Sequence, residues 1–472
     1  MILPRMLIID DQYARNSSFE RDALIENAGI VEITHNCSDT ELAQLGIENS
    51  GAIAAAAFCP GQKEASGTIK NDYEVIKEAV RQGWGENSKY RWNLILLDVR
   101  FDQSIRNADD ENFGFTVLSN LREQFGADLP VVMLTSEDET KRSKANRAAA
   151  DGYLPKNILN MGTLKQCILL HGLIPDMREG GHRLICQSLP FLKILREARR
   201  YAWNPVGSRI IYGETGSGKT EIARYVHDYS RRDGEFRSWT VAPSRDPNIT
   251  KDNLFGHWKG AHSEAKSSMP GEIEAAHGGT FLLDEIADLS PEAQQLLIEF
   301  RRRDVNGLRT LSRMGTFPNP DQNGQAARTV IGILQHDHKI KVDVLFISAT
   351  NQNIRDKEIR KIKGFRDDLF NDLGQAMEFP GLNDRREDIP LLVQWIVSNL
   401  HKEKTAIAVE TIEFLKQRDW KDRNIVELKS ILEVAVSNLG DFNEILFRHL
   451  PEQVRNESNR STSVVETRAA HD

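Results

Sequence analysis

Short runs of apolar residues that end in polar or charged side chains recur along this chain. In the first third these runs cover residues 6–9, 94–97, 131–134 and 152–154. Continuous apolar runs of this length are typical of strands buried on both faces of a parallel sheet. We therefore predict a doubly wound α/β domain, in which ligands bind at the carboxyl ends of the strands.

The side chains at these strand ends suit a phosphoryl-transfer site. They are Asp10, Asp11, Asp98, Thr135 and Lys156. Three carboxylates repel one another unless a divalent cation lies among them, so Asp10, Asp11 and Asp98 predict a Mg²⁺ site. Asp98 is then free to act as a nucleophile towards a phosphoryl donor, and Thr135 and Lys156 would contact the new phosphate.

This order of side chains resembles the response-regulator receiver domains over roughly residues 5–172. The resemblance implies a flavodoxin-like fold, Asp98 as phospho-acceptor, Thr135 and Tyr153 as the switch pair, and a histidine kinase or another phosphodonor in a two-component system. Residues 50–90 form a longer connection than the family has, and residues 73–80 within it have helical apolar spacing. A second long polar loop follows Asp98. Both segments border the predicted phosphorylation site, so the identity of the phosphodonor is left open.

A different pattern begins in the middle of the chain, where the apolar run 209–212 leads into a glycine-rich segment and then a helical pattern. The segment consists of Gly213, Glu214, Thr215, Gly216, Ser217, Gly218, Lys219 and Thr220. Between a strand and a helix, such a segment wraps phosphates with backbone N–H groups. Lys219 would reach the outer phosphates and Thr220 would offer its hydroxyl to Mg²⁺. ATP is the predicted ligand.

An apolar run at residues 281–283 ends in the acidic pair Asp284 and Glu285. Asp284 would hold Mg²⁺ through water, and Glu285 would orient and deprotonate the attacking water. Together with the phosphate loop, the pair predicts ATP hydrolysis by a P-loop α/β domain.

Several further segments, at residues 254–261, 276–280, 349–351, 365–369 and 385–390, resemble the AAA+ domain of sigma-54-dependent transcription activators. The resemblance implies that Asn351 senses the γ-phosphate and that Arg366 reaches a neighbouring subunit's site, in a hexameric or heptameric ring. Arginine supplied in trans makes hydrolysis depend on assembly.

The predicted organisation is a receiver at 1–172, a linker helix region at 173–205, the ATPase at 206–390, a helical lid at 391–450 and a disordered tail at 451–472. The tail holds no basic recognition helix, so we expect no sequence-specific DNA binding.

Departures from the family pattern bear on the target. Residues 260–265 read GAHSEA where the family reads GAFTGA, so the aromatic anchor for the sigma factor is missing. We therefore expect another protein target, with sigma-54 RNA polymerase as the rival candidate. Asp372 and Val426 stand where the family has arginines, Arg423 is the substitute candidate for contacting the nucleotide, and Thr240 replaces an asparagine. Slow hydrolysis follows from these losses.

Residues 307–338 lengthen the segment before the predicted strand at 339–344, and Pro318 and Gly324 mark a loop there. A tolerated surface insertion and a new partner surface are both open. His336 and His338 lack the spacing of metal ligands, which favours a solvated loop.

Composition narrows the class of protein. A chain of 472 residues exceeds one hydrophobic core, and a net charge of −8 gives no global nucleic-acid footprint. Four scattered cysteines, Cys37, Cys59, Cys167 and Cys186, indicate a reducing compartment. No apolar stretch of about 20 residues occurs, so we expect a soluble cytoplasmic protein without membrane contact.

The combined interpretation is a phosphorylation-controlled AAA+ ATPase that remodels a protein. One alternative is a sigma-54 activator that works without binding DNA. Another is a non-catalytic ATP-binding scaffold. Lys219, Asp284 and Glu285 favour catalysis, whereas Asp372 and Val426 favour the scaffold.

Overall fold

The computed structural model describes residues 4–10, 30–32, 53–58, 61–63, 69–71, 73–84, 91–99, 113–135, 150–176, 184–242, 247–301, 304, 307–318, 327–400, 405–420, 423–440 and 442–456. Outside these residues lie Asp11, Cys37, Cys59, the polar loop at 100–112 and the tail from residue 457. The chain divides into two compact units, residues 1–174 and 175–472.

The first unit is built on a six-stranded parallel sheet. Its elements are β1 (Arg5–Ile9), β2 (Ile30–Glu32), β3 (Ile53–Phe58), β4 (Gly61–Lys63), β5 (Ile69–Asn71), α1 (Tyr73–Gln82), β6 (Leu94–Asp98), α2 (Phe113–Phe125), β7 (Val131–Thr135), β8 (Gly152–Pro155) and α3 (Met161–His171). The strand order is β2–β3–β1–β6–β7–β8, and all these pairs are parallel. Every residue of β1 and β6 is buried. The predicted flavodoxin-like sheet is confirmed.

Two strands of this sheet were not predicted. β3 has the sequence IAAAAF, and its residues 54–58 pair with β1. Alanine is depleted in strands, so the run gives little strand signal, and only the pairing with β1 reveals it. The helix expected at 73–80 exists as α1 and buries Ile76, Ala79 and Val80.

The second unit contains a five-stranded parallel sheet and a helical lid. Its strands are β9 (Arg209–Tyr212), β10 (Phe236–Thr240), β11 (Gly256–His257), β12 (Met269–Pro270), β13 (Thr280–Asp284), β14 (Arg309–Leu311), β15 (Ile333–Leu334), β16 (Ile340–Val342), β17 (Leu345–Thr350), β18 (Gln375–Glu378), β19 (Ala406–Ile407) and β20 (Glu444–Ile445). Its helices are α4 (Leu189–Trp203), α5 (Lys219–Tyr229), α6 (Pro247–Phe255), α7 (Glu272–Ala275), α8 (Pro291–Arg301), α9 (Lys357–Lys363), α10 (Asp367–Asp372), α11 (Ile389–Leu400), α12 (Val409–Gln417) and α13 (Asn424–Ser437).

The main sheet has the order β10–β13–β17–β9–β18, with all pairs parallel. β9 leads into the phosphate loop, β13 into the acidic pair and β17 into Asn351. β13 and β17 are buried almost throughout, as their apolar sequences predict. The parallel arrangement gathers the polar strand ends at one edge of the sheet and confirms the predicted P-loop α/β fold.

The helix expected as a linker near residues 192–202 is α4, and it packs against α5. Its N-terminus is fixed by the buried Asp388, which accepts hydrogen bonds from the backbone N–H groups of Gln187 and Ser188 at 2.6 and 2.7 Å. The Ser188 hydroxyl donates a third bond at 2.7 Å. The same carboxylate thus joins the start of α4 to the start of α11.

The lengthened segment before β16 contains two strands, and Gly324, which marked the predicted loop, lies outside the described residues. β14 and β15 flank β16 in a small antiparallel sheet. A buried ion pair fastens it: Arg313 donates from Nε and Nη2 to the two carboxylate oxygens of Glu274, each at 2.8 Å. The second of these oxygens also accepts the N–H of Ile331 at 2.8 Å.

The lid consists of α11, α12 and α13 around a core that includes Leu415 and Trp420. Val454 is buried in the same core, so the start predicted for the disordered tail, residue 451, is too early. An isolated apolar residue after Pro451 gave no sign of this packing. Within the described ranges, no helix combines the length and apolar character needed to span a membrane.

Candidate functional site

The phosphate loop joins β9 to α5 with its lysine turned inwards. Lys219 is 6% exposed, and its Nζ donates to the carbonyl oxygens of Gly213 and Glu214 at 2.9 and 3.2 Å. Gly218 is the N-cap of α5 with φ of 113° and offers no side-chain acceptor to the first N–H groups of the helix. A helix start of this kind fits an anionic phosphate.

Gly216 admits no other residue, for two reasons. Its φ is +73°, a left-handed conformation, and an added Cβ would lie 2.1 Å from the carbonyl oxygen of Arg423. The start of α13 therefore lies directly on the loop, and the Ile425 N–H donates to the Gly216 carbonyl at 3.1 Å.

The acidic pair and Asn351 meet beside the loop. Lys219 Nζ lies 4.0 Å from Glu285 Oε1, while Glu285 Oε2 accepts the backbone N–H of Asn351 at 3.2 Å. The Asn351 side-chain amide donates to the Thr215 hydroxyl at 2.9 Å. Burial raises the pKa of Glu285 above its ordinary value, although the Asn351 N–H and the Lys219 ammonium oppose that shift. A carboxylate of raised pKa suits a general base.

Two buried residues to which the sequence analysis gave no role contact the phosphate loop. Asn424 is fully buried with φ of 48°, and its Nδ2 donates to Glu214 Oε2 at 2.9 Å and to the Thr215 carbonyl at 3.2 Å. Arg385 donates to the Ser217 carbonyl oxygen. Burial lowers the pKa of Arg385 to about 10, so the guanidinium stays charged at neutral pH.

The predicted Mg²⁺ ligands of the second unit lie at the end of the phosphate loop and at the end of β13. Thr220 lies in the first turn of α5, and Asp284 Oδ1 accepts the Glu285 N–H at 3.0 Å. Thr240 is paired with Asp284 in the sheet register. A cavity of about 390 Å³ opens next to Gly213 and Glu214. These side chains fit phosphate and Mg²⁺, because hydroxyl and carboxylate oxygens lie at the end of a phosphate loop.

The predicted ring-contact and lid positions are on the surface. Arg366 is 41% exposed and is held by Asp368, at 2.9 and 2.6 Å, and by Gln295 at 2.6 Å. Asp372 and Arg423 are exposed. Val426 is 49% exposed, and its Cγ2 would lie 3.3 Å from a Cβ on Gly216. The position where relatives carry a lid arginine thus lies over the phosphate loop.

The loop at 260–265 is a compact turn. The Gly260 N–H donates to the Ala265 carbonyl at 2.8 Å, and the Ala265 N–H donates to the His262 carbonyl at 3.0 Å. The inserted segment lies alongside, because Trp258 and Met314 share a backbone hydrogen bond of 2.9 Å. Phe317 packs edge-on against Trp258 at 4.7 Å.

The first unit brings three predicted residues together at the strand ends. Lys156 Nζ lies 2.8 Å from Asp10 Oδ2 and 3.0 Å from Asp98 Oδ2. Although burial alone would lower it, the attraction of Asp98 and Asp10 raises the pKa of Lys156 above its ordinary value. Thr135 ends β7, with its side chain outside the described part of the structure, and Tyr153 lies in β8.

Two sequence profiles match the second unit: the sigma-54 interaction domain over residues 184–311 and the AAA+ ATPase lid domain over residues 383–467. The DNA-binding transcriptional regulator NtrC of Rhizobium meliloti is 30% identical over 367 residues, which cover 73% of this chain and 67% of that protein. The chain belongs to the NtrC family. Its AAA+ domain is therefore of the sigma-54 activator type.

Similarity extends to proteins of other descriptions. Limonene hydroxylase of Geobacillus stearothermophilus is 34% identical over 282 residues, 58% of this NtrC-family chain; the chain spans about half of that protein, 47%. The crystal structure of NtrX from Brucella abortus is 22% identical in sequence and has a TM-score of 0.45. The match covers 95% of this chain and 86% of the NtrX chain.

Proposed function

We propose that this chain hydrolyses ATP and uses the energy to remodel a protein partner under phosphorylation control. The observation that carries the proposal is the meeting of Lys219, Glu285 and Asn351 at one edge of the sheet. Of the possible ligands, ATP fits an uncapped helix start beside a buried lysine and a carboxylate base.

In this proposal each residue has a separate task. Lys219 leaves its two loop carbonyls for the outer phosphates, and Glu285 orients a water molecule and takes its proton. Asn351 links Glu285 to Thr215 and so couples the base to the phosphate loop. Mg²⁺, held by Thr220 and Asp284, would offset phosphate charge.

Assembly supplies the remaining charge. Arg366 lies on the surface, where it can turn from Asp368 to the site of a second copy in a hexameric or heptameric ring. An exposed ion pair is weak, so this rearrangement costs little. Asp372 and Val426 leave fewer cations at the site, and Arg423 is exposed beside the loop as a substitute.

Control by phosphorylation rests on Asp98, whose Oδ2 is already paired with the Lys156 ammonium. A phosphoryl group on Asp98 would take over that ammonium and leave Asp10 to bind Mg²⁺. The proposed donor is a histidine kinase or another phosphodonor. We include Asp11 and Thr135 in the proposed pocket on their sequence positions at the strand ends.

Beryllofluoride, which imitates an aspartyl phosphate, is expected to shift the sedimentation coefficient of the wild-type protein. Asp98→Ala removes the attachment point and should leave the distribution unmoved. Lys156→Ala should weaken the response, because the cation that contacts the bound group is lost. An unchanged distribution in the wild type would contradict phosphorylation control of assembly.

We assign the loop at 260–265 to a protein target other than the usual sigma-54 holoenzyme. Its central positions are His262, Ser263 and Glu264, which replace the aromatic anchor, threonine and glycine of the family. Anchoring aromatic residues dominate interface energies, so their loss weakens the usual contact strongly. The profile match over 184–311 favours sigma-54 as the second candidate.

The two targets are separated by a purified transcription assay. With ATP and excess protein, the chain is expected not to open a sigma-54 promoter, and the triple change His262→Phe, Ser263→Thr and Glu264→Gly is expected to raise opening above background. Robust opening by the unchanged protein would instead assign it to sigma-54.

A further inference from the structure

Three potential metal ligands converge where the loop at 260–265 meets α6. Asp252 lies in α6, His257 in β11 and His262 in the loop. Asp252 Oδ1 is 2.6 Å from His257 Nδ1 and 3.6 Å from His262 Nε2. One ligand atom from each residue lies within 4.8 Å of the other two.

The hydrogen bonds of His257 make this more than a cluster of polar residues. Its Nε2 lies 3.0 Å from the carbonyl oxygen of Ser267, which can only accept, so Nε2 carries a proton. In a neutral imidazole, Nδ1 then points a lone pair at the Asp252 carboxylate. Either a second ring proton, which makes the ring an imidazolium, or a metal ion bound by both groups satisfies these two acceptors. One ring nitrogen on a metal and the other donating to a backbone carbonyl is the usual arrangement of metal-binding histidine.

The ligand set indicates which metal. Two imidazole nitrogens and one carboxylate oxygen are ligands of Zn²⁺ and similar divalent transition metals. Tetrahedral ligands about 2.0–2.1 Å from a Zn²⁺ ion are roughly 3.3 Å apart. The separations of 2.6 and 3.6 Å lie within about 1 Å of that spacing, and the third separation is no more than 4.8 Å.

The site is accessible, and it is connected to the loop. The side chains of His262 and Asp252 are 40% and 27% exposed, whereas that of His257 is 8% exposed. The buried ligand is thus fixed, and the other two can close on an ion from solvent. His262 stands where relatives carry the aromatic anchor, so a ligand replaces an anchor at the loop's central position.

We propose that Asp252, His257 and His262 form a binding site for a divalent transition metal of the Zn²⁺ type, which fastens the loop at 260–265 to α6. Three protein ligands leave a fourth position for water or for a side chain of a partner. Metal availability would then set how far the loop can reach. The site is separate from the phosphate loop and does not depend on ATP hydrolysis.

Co²⁺ titration of the metal-free full-length protein tests the site, because tetrahedral Co²⁺ absorbs visible light. We expect one absorbing Co²⁺ per chain, displaced by Zn²⁺. Asp252→Asn and His262→Gln should each weaken binding at least about tenfold. His336→Gln, which changes an exposed histidine outside the cluster, should bind like the wild type. Equal affinity in the wild type and the two ligand variants would overturn the site.

Trypsin cleavage beside the loop tests the fastening. Lys259 and Lys266 are both exposed and flank the loop. Zn²⁺ should slow cleavage there in the wild type and in His336→Gln, and leave the rate in His262→Gln unchanged. The circular dichroism of all variants reports whether they fold. If Zn²⁺ slows cleavage equally with and without His262, the loop is not held through this site.

Discussion

Replacing Glu285 by glutamine is expected to lower ATP turnover about 10²–10⁴-fold while ATP still binds. Glutamine keeps an oxygen that can accept the Asn351 N–H, so the geometry at the strand ends is preserved. It cannot take a proton from water at neutral pH. Lys219→Ala, by contrast, removes the buried cation and should abolish binding itself.

The measurement is phosphate release together with equilibrium binding of a fluorescent ATP analogue. Glu433→Gln is the matched control, because Glu433 is an exposed residue of α13 that pairs with the exposed Lys429 at 3.8 Å. It should turn over ATP like the wild type. Wild-type turnover by Glu285→Gln would remove Glu285 from the catalytic site.

Replacing Glu274 by alanine is expected to lower the free energy of unfolding by about 3–5 kcal/mol, because Arg313 would be left charged and buried without its carboxylate partner. Both side chains of the pair are 0% exposed. The Arg313 guanidinium also lies 4.4 Å from the ring centroid of Trp258, at the base of the 260–265 loop. Loss of the pair should therefore loosen the loop as well as the inserted strands.

Glu272→Ala provides a control within the same short helix, α7. Glu272 is paired with Arg237 at 3.1 Å, but the two side chains are 35% and 36% exposed, so its loss should cost less than about 1 kcal/mol. Urea unfolding of both variants beside the wild type measures the difference. Equal costs would show that burial does not make the Glu274–Arg313 pair special.

Much of the fold was predictable where strands are both apolar and buried. β6 and β13 were predicted from their continuous apolar runs, which arise because both faces of a parallel strand are covered. β15 was missed because a strand of two residues gives too short a pattern, and β14 was missed because it pairs with β16 across a segment dominated by proline and glycine signals. Pairing over such distances is a tertiary effect that local patterns do not contain.

The residues of the candidate site also differ in how far the sequence predicts them. The phosphate loop and acidic pair are contiguous motifs, so spacing alone identified Lys219 and Glu285. Asn424 acts on Glu214 from 210 positions away, and no motif records that contact. Asp252, His257 and His262 are five residues apart, across the end of a helix, a strand and a loop, and only the folded chain brings them together.

The central claim is that the chain is an ATPase whose site is completed by assembly. Steady-state ATP turnover per chain, measured over a wide range of protein concentration, tests it most directly. The account predicts that turnover per chain rises with protein concentration as the ring forms. The Arg366→Ala variant, whose phosphate loop is unchanged, should not show this rise. Turnover at background level throughout the range would contradict it and favour the non-catalytic scaffold.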